Sequence, residues 1–88
     1  MKYIVCNLNL FTLSHIIYLL DEENKTYKEV ACSDLNHLPQ MLVGACVLEE
    51  VDNIHLFGTQ DFVEKLSHDI TAINNSYYAN YKINVEVN

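Results

Sequence analysis

The sequence has no arginine and no tryptophan, and it has only one proline and two glycines. Without arginine there is no planar guanidinium to fork onto a phosphate or carboxylate. Twelve carboxylates face five lysines, a net charge of −7 that repels DNA and RNA, so no direct nucleic-acid binding is expected. The same charge would be drawn to a basic groove on another protein, where it could stand in for a nucleic-acid backbone. Glycine occurs only at positions 44 and 58, too sparsely for a phosphate loop. Cys6, Cys32 and Cys46 are odd in number and show none of the close pairing of a disulfide scaffold or zinc ribbon, which points to buried free thiols in a reducing compartment. Asn7 and Asn9 break the first apolar run before it reaches the length of a signal-peptide core, and no run is long enough to span a membrane. These absences predict a cytoplasmic protein with no cofactor and no membrane partner.

Half of the 88 residues are apolar and 19% are charged, a balance suited to one packed domain spanning 1–88. A single core of this size supplies roughly 3 to 5 kcal/mol, so a complex or homo-oligomer would add useful buried area.

Hydrophobic periodicity sets the order of elements. From Lys2 to Phe11, Ile4, Cys6, Leu8 and Leu10 alternate with Tyr3, Val5, Asn7, Asn9 and Phe11, predicting a strand with both faces largely covered. After Thr12–Ser14 a second alternating run, His15 to Leu20, predicts an antiparallel partner. Beyond the charged turn Asp21 to Lys25, the run Thr26 to Cys32 mixes Tyr27, Val30 and Cys32 with Lys28 and Glu29, as an edge strand would. The period then lengthens: Leu38, Met41, Leu42, Ala45 and Cys46 mark a helix over about 36 to 49, with Ser33, Asp34 or Asn36 able to cap it and Pro39 confined to its first turn. Asn53 to Phe57 reads as a short buried strand ended by Gly58. Thr59 or Asp61 caps a second helix, with Phe62, Val63, Leu66, Ile70 and Ile73 on one stripe, running to about Asn75. A tyrosine-bearing loop, Ser76 to Tyr81, leads to a last strand in which Ile83, Val85 and Val87 alternate with polar residues. Right-handed crossovers then give an α/β fold of order β-β-β-α-β-α-β, with a five-stranded mixed sheet ordered 3-2-1-4-5 and two helices.

That succession of elements resembles the core of the ribonuclease H-like and actin-like superfamily across nearly the whole chain. In its nucleases, carboxylates on the first strand, near the end of the fourth and on a later helix hold two divalent cations. The matching first-strand positions here are Asn7 and Asn9, and the fourth strand ends His55, Leu56, Phe57, Gly58. Neutral amides are poor ligands for a hard cation, so the resemblance implies the fold without the activity. A short chain rich in Asn, Ile, Lys and Tyr also resembles accessory proteins encoded by phages of AT-rich hosts, some of which inhibit CRISPR or other defence nucleases; that resemblance implies a host protein as partner.

Several residue groups could carry chemistry. Cys32, His37, Cys46 and His55 are the only combination from which a zinc site could be assembled, but the spacing lacks a second close pair. Gly58-Thr59-Gln60-Asp61 opens a helix, where Asp61 would repel an anion and a capping role suffices. A degenerate metal-dependent nuclease would draw on Asp61 and His55. The favoured reading is instead a non-enzymatic binding protein, acting on a host protein or on its own copies through Tyr77, Tyr78 and Tyr81 together with the acidic turns Asp21-Glu22-Glu23 and Glu49-Glu50-Val51-Asp52.

Overall fold

The computed structural model describes all residues from Met1 to Asn88. Strand β1, Lys2–Asn9, ends because the Asn9 side-chain oxygen accepts the backbone N–H of Phe11 at 2.9 Å and of Thr12 at 3.3 Å. Leu13 then turns through φ 57° and the chain reverses into β2, Ser14–Asp21. Phe11, expected on the first strand, therefore lies in the turn and is fully exposed. An Asx turn repeats the device at the next reversal, where Asp21 accepts from the N–H of Glu23 and Asn24 and from the Asn24 amide at 2.7 Å. Strand β3, Thr26–Ser33, follows, with a register shift against β2 between Ile17 and Tyr18.

Helix α1, Leu38–Glu49, carries Pro39 in its first turn, where no intrahelical donor is needed. Its N-cap residue is His37, which makes no capping bond; the Asp34 carboxylate instead accepts the His37 N–H at 2.9 Å. Strand β4, Asn53–Gly58, ends on Gly58 at φ 146°, a conformation that disfavours any side chain. Helix α2, Gln60–Tyr77, starts where the Thr59 hydroxyl accepts the Phe62 N–H at 3.3 Å and where the Asp61 charge suits the positive helix end. It runs past the expected Asn75 and takes Ser76 and Tyr77 out of the loop, stopping at Tyr78, φ 53°. Strand β5, Lys82–Val87, closes the sheet.

The sheet has the order β3-β2-β1-β4-β5, with antiparallel β1–β2 and β2–β3 pairs and parallel β1–β4 and β4–β5 pairs. Both crossovers advance the same way across the sheet, so helices wound with the same hand cover the same side. One core results, in which Ile4, Cys6, Ile17, Ile54 and Leu56 from the sheet meet Leu38, Leu42, Ala45 and Cys46 of α1 and Val63, Leu66 and Ile70 of α2. Burying each of its large side chains contributes roughly 1.5 to 3 kcal/mol. The expectation that β1 is covered on both faces fails for the same topological reason, because neither helix reaches the face bearing Tyr3, Val5 and Asn7. No helix is long and apolar enough to cross a membrane.

Candidate protein-binding face

Alternation along each strand sends every second side chain to the helix-free face, and the register decides which of them meet. Val5 lies opposite Tyr18, Tyr3 opposite Leu20, and Leu20 opposite Tyr27. On the parallel side, His55 pairs with Asn84 and Phe57 with Glu86. The side chains of Tyr3, Val5, Asn7, Tyr18, Leu20, Tyr27, His55, Phe57 and Glu86 consequently surround one shallow concavity of about 460 Å³. Val5, among the residues that line it, is only 5% exposed although it is on the face without helices.

Rings dominate this surface. Tyr18 and Tyr27 meet edge to face with centroids 5.8 Å apart. The Tyr3 ring stands 5.6 Å from His55, and His55 lies 6.3 Å from Phe57. Contacts of this geometry hold the rings in place, so they form a prearranged platform. Carboxylates border it: Glu29 lies opposite Tyr18 in the register, Glu86 opposite Phe57, and Glu22 beside Tyr3. Burial and the Glu22 charge together push the Tyr3 phenol above its ordinary range.

The acidic turns expected from sequence fall at one end of the sheet, where β1, β4 and β5 begin and β2 ends. Several of their carboxylates also serve the fold. Asp21 holds its turn, and the amide and N–H bonds of Asn24 draw its carboxyl below the usual range. Glu49 pairs with Lys28 at 3.1 Å, and Asp52 accepts from the Asn53 amide at 2.9 Å. Glu50 is the left-handed C-cap of α1. Glu22 and Glu23 are exposed, and the Glu22 carboxylate stands within reach of the Tyr3 phenol.

The three tyrosines singled out in the sequence separate. Tyr81 packs against the core, and its backbone is gripped by the Asn74 amide through bonds of 3.0 and 3.2 Å. Tyr77 is exposed and shares a groove with α1, while Tyr78 is 98% exposed at the end of α2. None of the three lines the aromatic platform. Strand alternation in the sequence cannot say which face the helices will leave bare, so it does not single out Tyr3, Tyr18, Tyr27 and Phe57.

The other candidate chemistries are taken apart by the fold. Cys46 is buried in the core, its thiol pushed up to about 12 by burial and by Asp52, whereas Cys32 is exposed on edge strand β3. No three His, Cys, Asp or Glu side chains are grouped so as to hold a metal ion. His55 stands on the open face between Tyr3 and Phe57, and Asp61 belongs to the helical layer across the sheet. Asn7 is exposed on the open face and Asn9 is committed to its turn. No protein-family model matches the sequence, and no curated protein matches it.

Proposed function

We propose that the chain is a non-enzymatic binding protein whose helix-free sheet face receives a basic segment or groove of a partner protein. The observation that carries this reading is the continuity of the aromatic platform with the acidic end of the sheet: Tyr3, Leu20 and Tyr27 lie beside Glu22, with Glu29 and Glu86 along the borders. Tyrosine faces attract cations, at roughly 0.5 to 2 kcal/mol for each well-placed Lys or Arg, and the carboxylates would draw the same side chains in from a distance. The platform thus takes the part first given to Tyr77, Tyr78 and Tyr81, and Asp21 to Glu23 keep theirs as its acidic margin. Such a surface suits a protein groove that otherwise holds a nucleic-acid backbone. The resemblance to phage accessory proteins directs the search for that partner toward host nucleases and their inhibition.

The test is an NMR titration with a short Arg/Lys-rich peptide. The expected result is shifts confined to Tyr3, Tyr18, Tyr27, His55 and Phe57 and their neighbours. Affinity should fall steeply with salt and weaken at least tenfold in Tyr27→Ala and Glu22→Gln. Absence of binding, or shifts confined to the helices, would refute the proposal.

A further inference from the structure

The two edges of the sheet are built differently. Strand β3, at one edge, carries Lys28 and Glu29 in mid-strand and a register shift against its neighbour. Charges and irregularities of that kind keep an edge from pairing with another chain. Strand β5, at the other edge, has no proline and an unbroken register, and all of its side chains but Ile83 are exposed, Val85 at 54% and Val87 at 46%. The N–H groups of Lys82 and Asn88 donate to the Asp52 and Gly58 carbonyls at 2.7 and 2.9 Å. Backbone groups along a strand turn to alternate sides, so the N–H and C=O of Ile83, Val85 and Val87 point away from β4, where no further strand lies. Lys82 and Glu86 are also exposed, and neither joins an ion pair. At roughly 3.3 Å per residue they stand too far apart on one strand to meet each other.

We infer that β5 pairs with β5 of a second copy of the chain, antiparallel about a two-fold axis at Asn84, so that two five-stranded sheets join into one. The run Lys82-Ile83-Asn84-Val85-Glu86 selects that occupant, because it complements itself when reversed. Lys82 of each copy then faces Glu86 of the other, Ile83 faces Val85, and Asn84 faces Asn84. The outward backbone groups of Ile83 and Val85 fall opposite one another as hydrogen-bonded pairs, which is the parity an antiparallel ladder needs. Opposite charges across such a pair stabilise it, and like charges oppose it. Moving the axis to Val85 would set Lys82 opposite Asn88 and bring the two Glu86 carboxylates to diagonal positions, in a chain already at −7. Centring β3 on Lys28 or Glu29 would put like charges face to face, so the other edge lacks this complementarity. An axis normal to the sheet keeps both helix-free faces on one side. The dimer carries its two aromatic platforms side by side, available for bivalent binding.

Sedimentation equilibrium with exchanged charges tests this without reference to the binding face. At about 0.1 mM, ample for a small interface, the wild-type chain is expected at twice its 10.2 kDa mass. Lys82→Glu and Glu86→Lys, each alone, set like charges opposite at both ends of the seam. Each should weaken the dimer about tenfold or more with an unchanged circular dichroism spectrum. Mixing the two variants should restore pairing as a heterodimer, since each supplies the charge the other lacks, and Lys82→Glu/Glu86→Lys in one chain should pair like wild type. Lys25→Glu makes the same charge change in the turn beside the far edge and should leave the dimer intact. Amide exchange at Ile83 and Val85 should slow as protein concentration rises. A monomeric wild type, single variants that pair as tightly as wild type, a mixture or double variant that stays monomeric, dissociation by Lys25→Glu, or exchange at Ile83 and Val85 independent of concentration would each overturn the inference.

Discussion

Replacing Leu66 by alanine tests whether the α2 stripe is the main support of the fold. Leu66 is 2% exposed and belongs to the single core, with Val63 and Ile70 on the same helix face. Truncation removes the transfer free energy of the lost methyl and methylene groups and leaves a cavity that a five-stranded sheet cannot fully close. Leu→Ala changes of this kind cost roughly 2.7 to 5 kcal/mol. A helix carried on one side only can settle partway into the gap, which places the expectation near the lower end, about 3 kcal/mol. Stabilities of roughly 0.05 to 0.15 kcal/mol per residue would give this chain about 4 to 13 kcal/mol in total, so the variant should stay folded with about 1 to 10 kcal/mol remaining. Urea unfolding followed by circular dichroism should show the midpoint lowered by about 2 to 3 M, taking a slope near ~1 kcal/mol per molar for a small domain. Leu10→Ala is the matched control: Leu10 is 78% exposed in the β1–β2 turn, and its loss should move stability by no more than about 0.5 kcal/mol. Equal midpoints for the two variants, or a cost below ~1 kcal/mol for Leu66→Ala, would refute the assignment of the core to this stripe.

His15 is 8% exposed, stacked 5.6 Å from Phe62, and its Nδ1 is buried without a partner, so burial holds its pKa below 6.5. The folded state then binds fewer protons than the unfolded one, and stability should be full above pH 6.5 and fall as pH drops below it; urea midpoints at pH 7.5 and 5.5 should differ, and His15→Leu should flatten that dependence, an unchanged slope speaking against burial as the cause. Thiol labelling at pH 8 should modify exposed Cys32 quickly and spare Cys6 and Cys46, whose pKa values burial pushes up to about 11 and about 12, until urea unfolds the chain; rapid labelling of all three in the folded state would contradict the core described here. Gly58→Ala should destabilise by roughly 1 to 3 kcal/mol in urea, since φ is 146° and the new Cβ would come 3.1 Å from the Phe62 ring; a neutral substitution would mean that the turn relaxes freely.

Much of the fold is legible in the sequence because the periods are clean. The alternation of Ile4 and Cys6 with Tyr3 and Val5 sets a strand, and the Val63–Leu66–Ile70 spacing sets a helix face, so the five strands, two helices and sheet order follow from period and crossover hand. Boundaries were less legible where side chains compete with the backbone. Asn9 ends β1 before Phe11 by capturing two N–H groups, a local choice that hydrophobic pattern does not register. The site was less legible still. Clustering along the chain drew attention to Tyr77, Tyr78 and Tyr81, whereas the rings that gather in space come from four strands, brought together by register: Tyr3 on β1, Tyr18 on β2, Tyr27 on β3, and His55 with Phe57 on β4.

The deeper reason is arithmetic between layers. Both periods of β2, and of the first half of β1, are hydrophobic, which in a sheet usually calls for helices on both sides, yet two crossovers of one hand that advance in one direction can cover only one. The sequence therefore writes more apolar strand surface than its own helices can bury. On the uncovered side the excess is aromatic and edged with carboxylates, while on the outer side of α1 the excess is aliphatic and uncharged. A chain that needed only to fold would have placed lysine or glutamate at Tyr18, Tyr27, Val47 and Leu48, since none of the four belongs to the buried core. The two surfaces differ in charge, and the carboxylates that edge the first are why a basic protein is proposed as its partner.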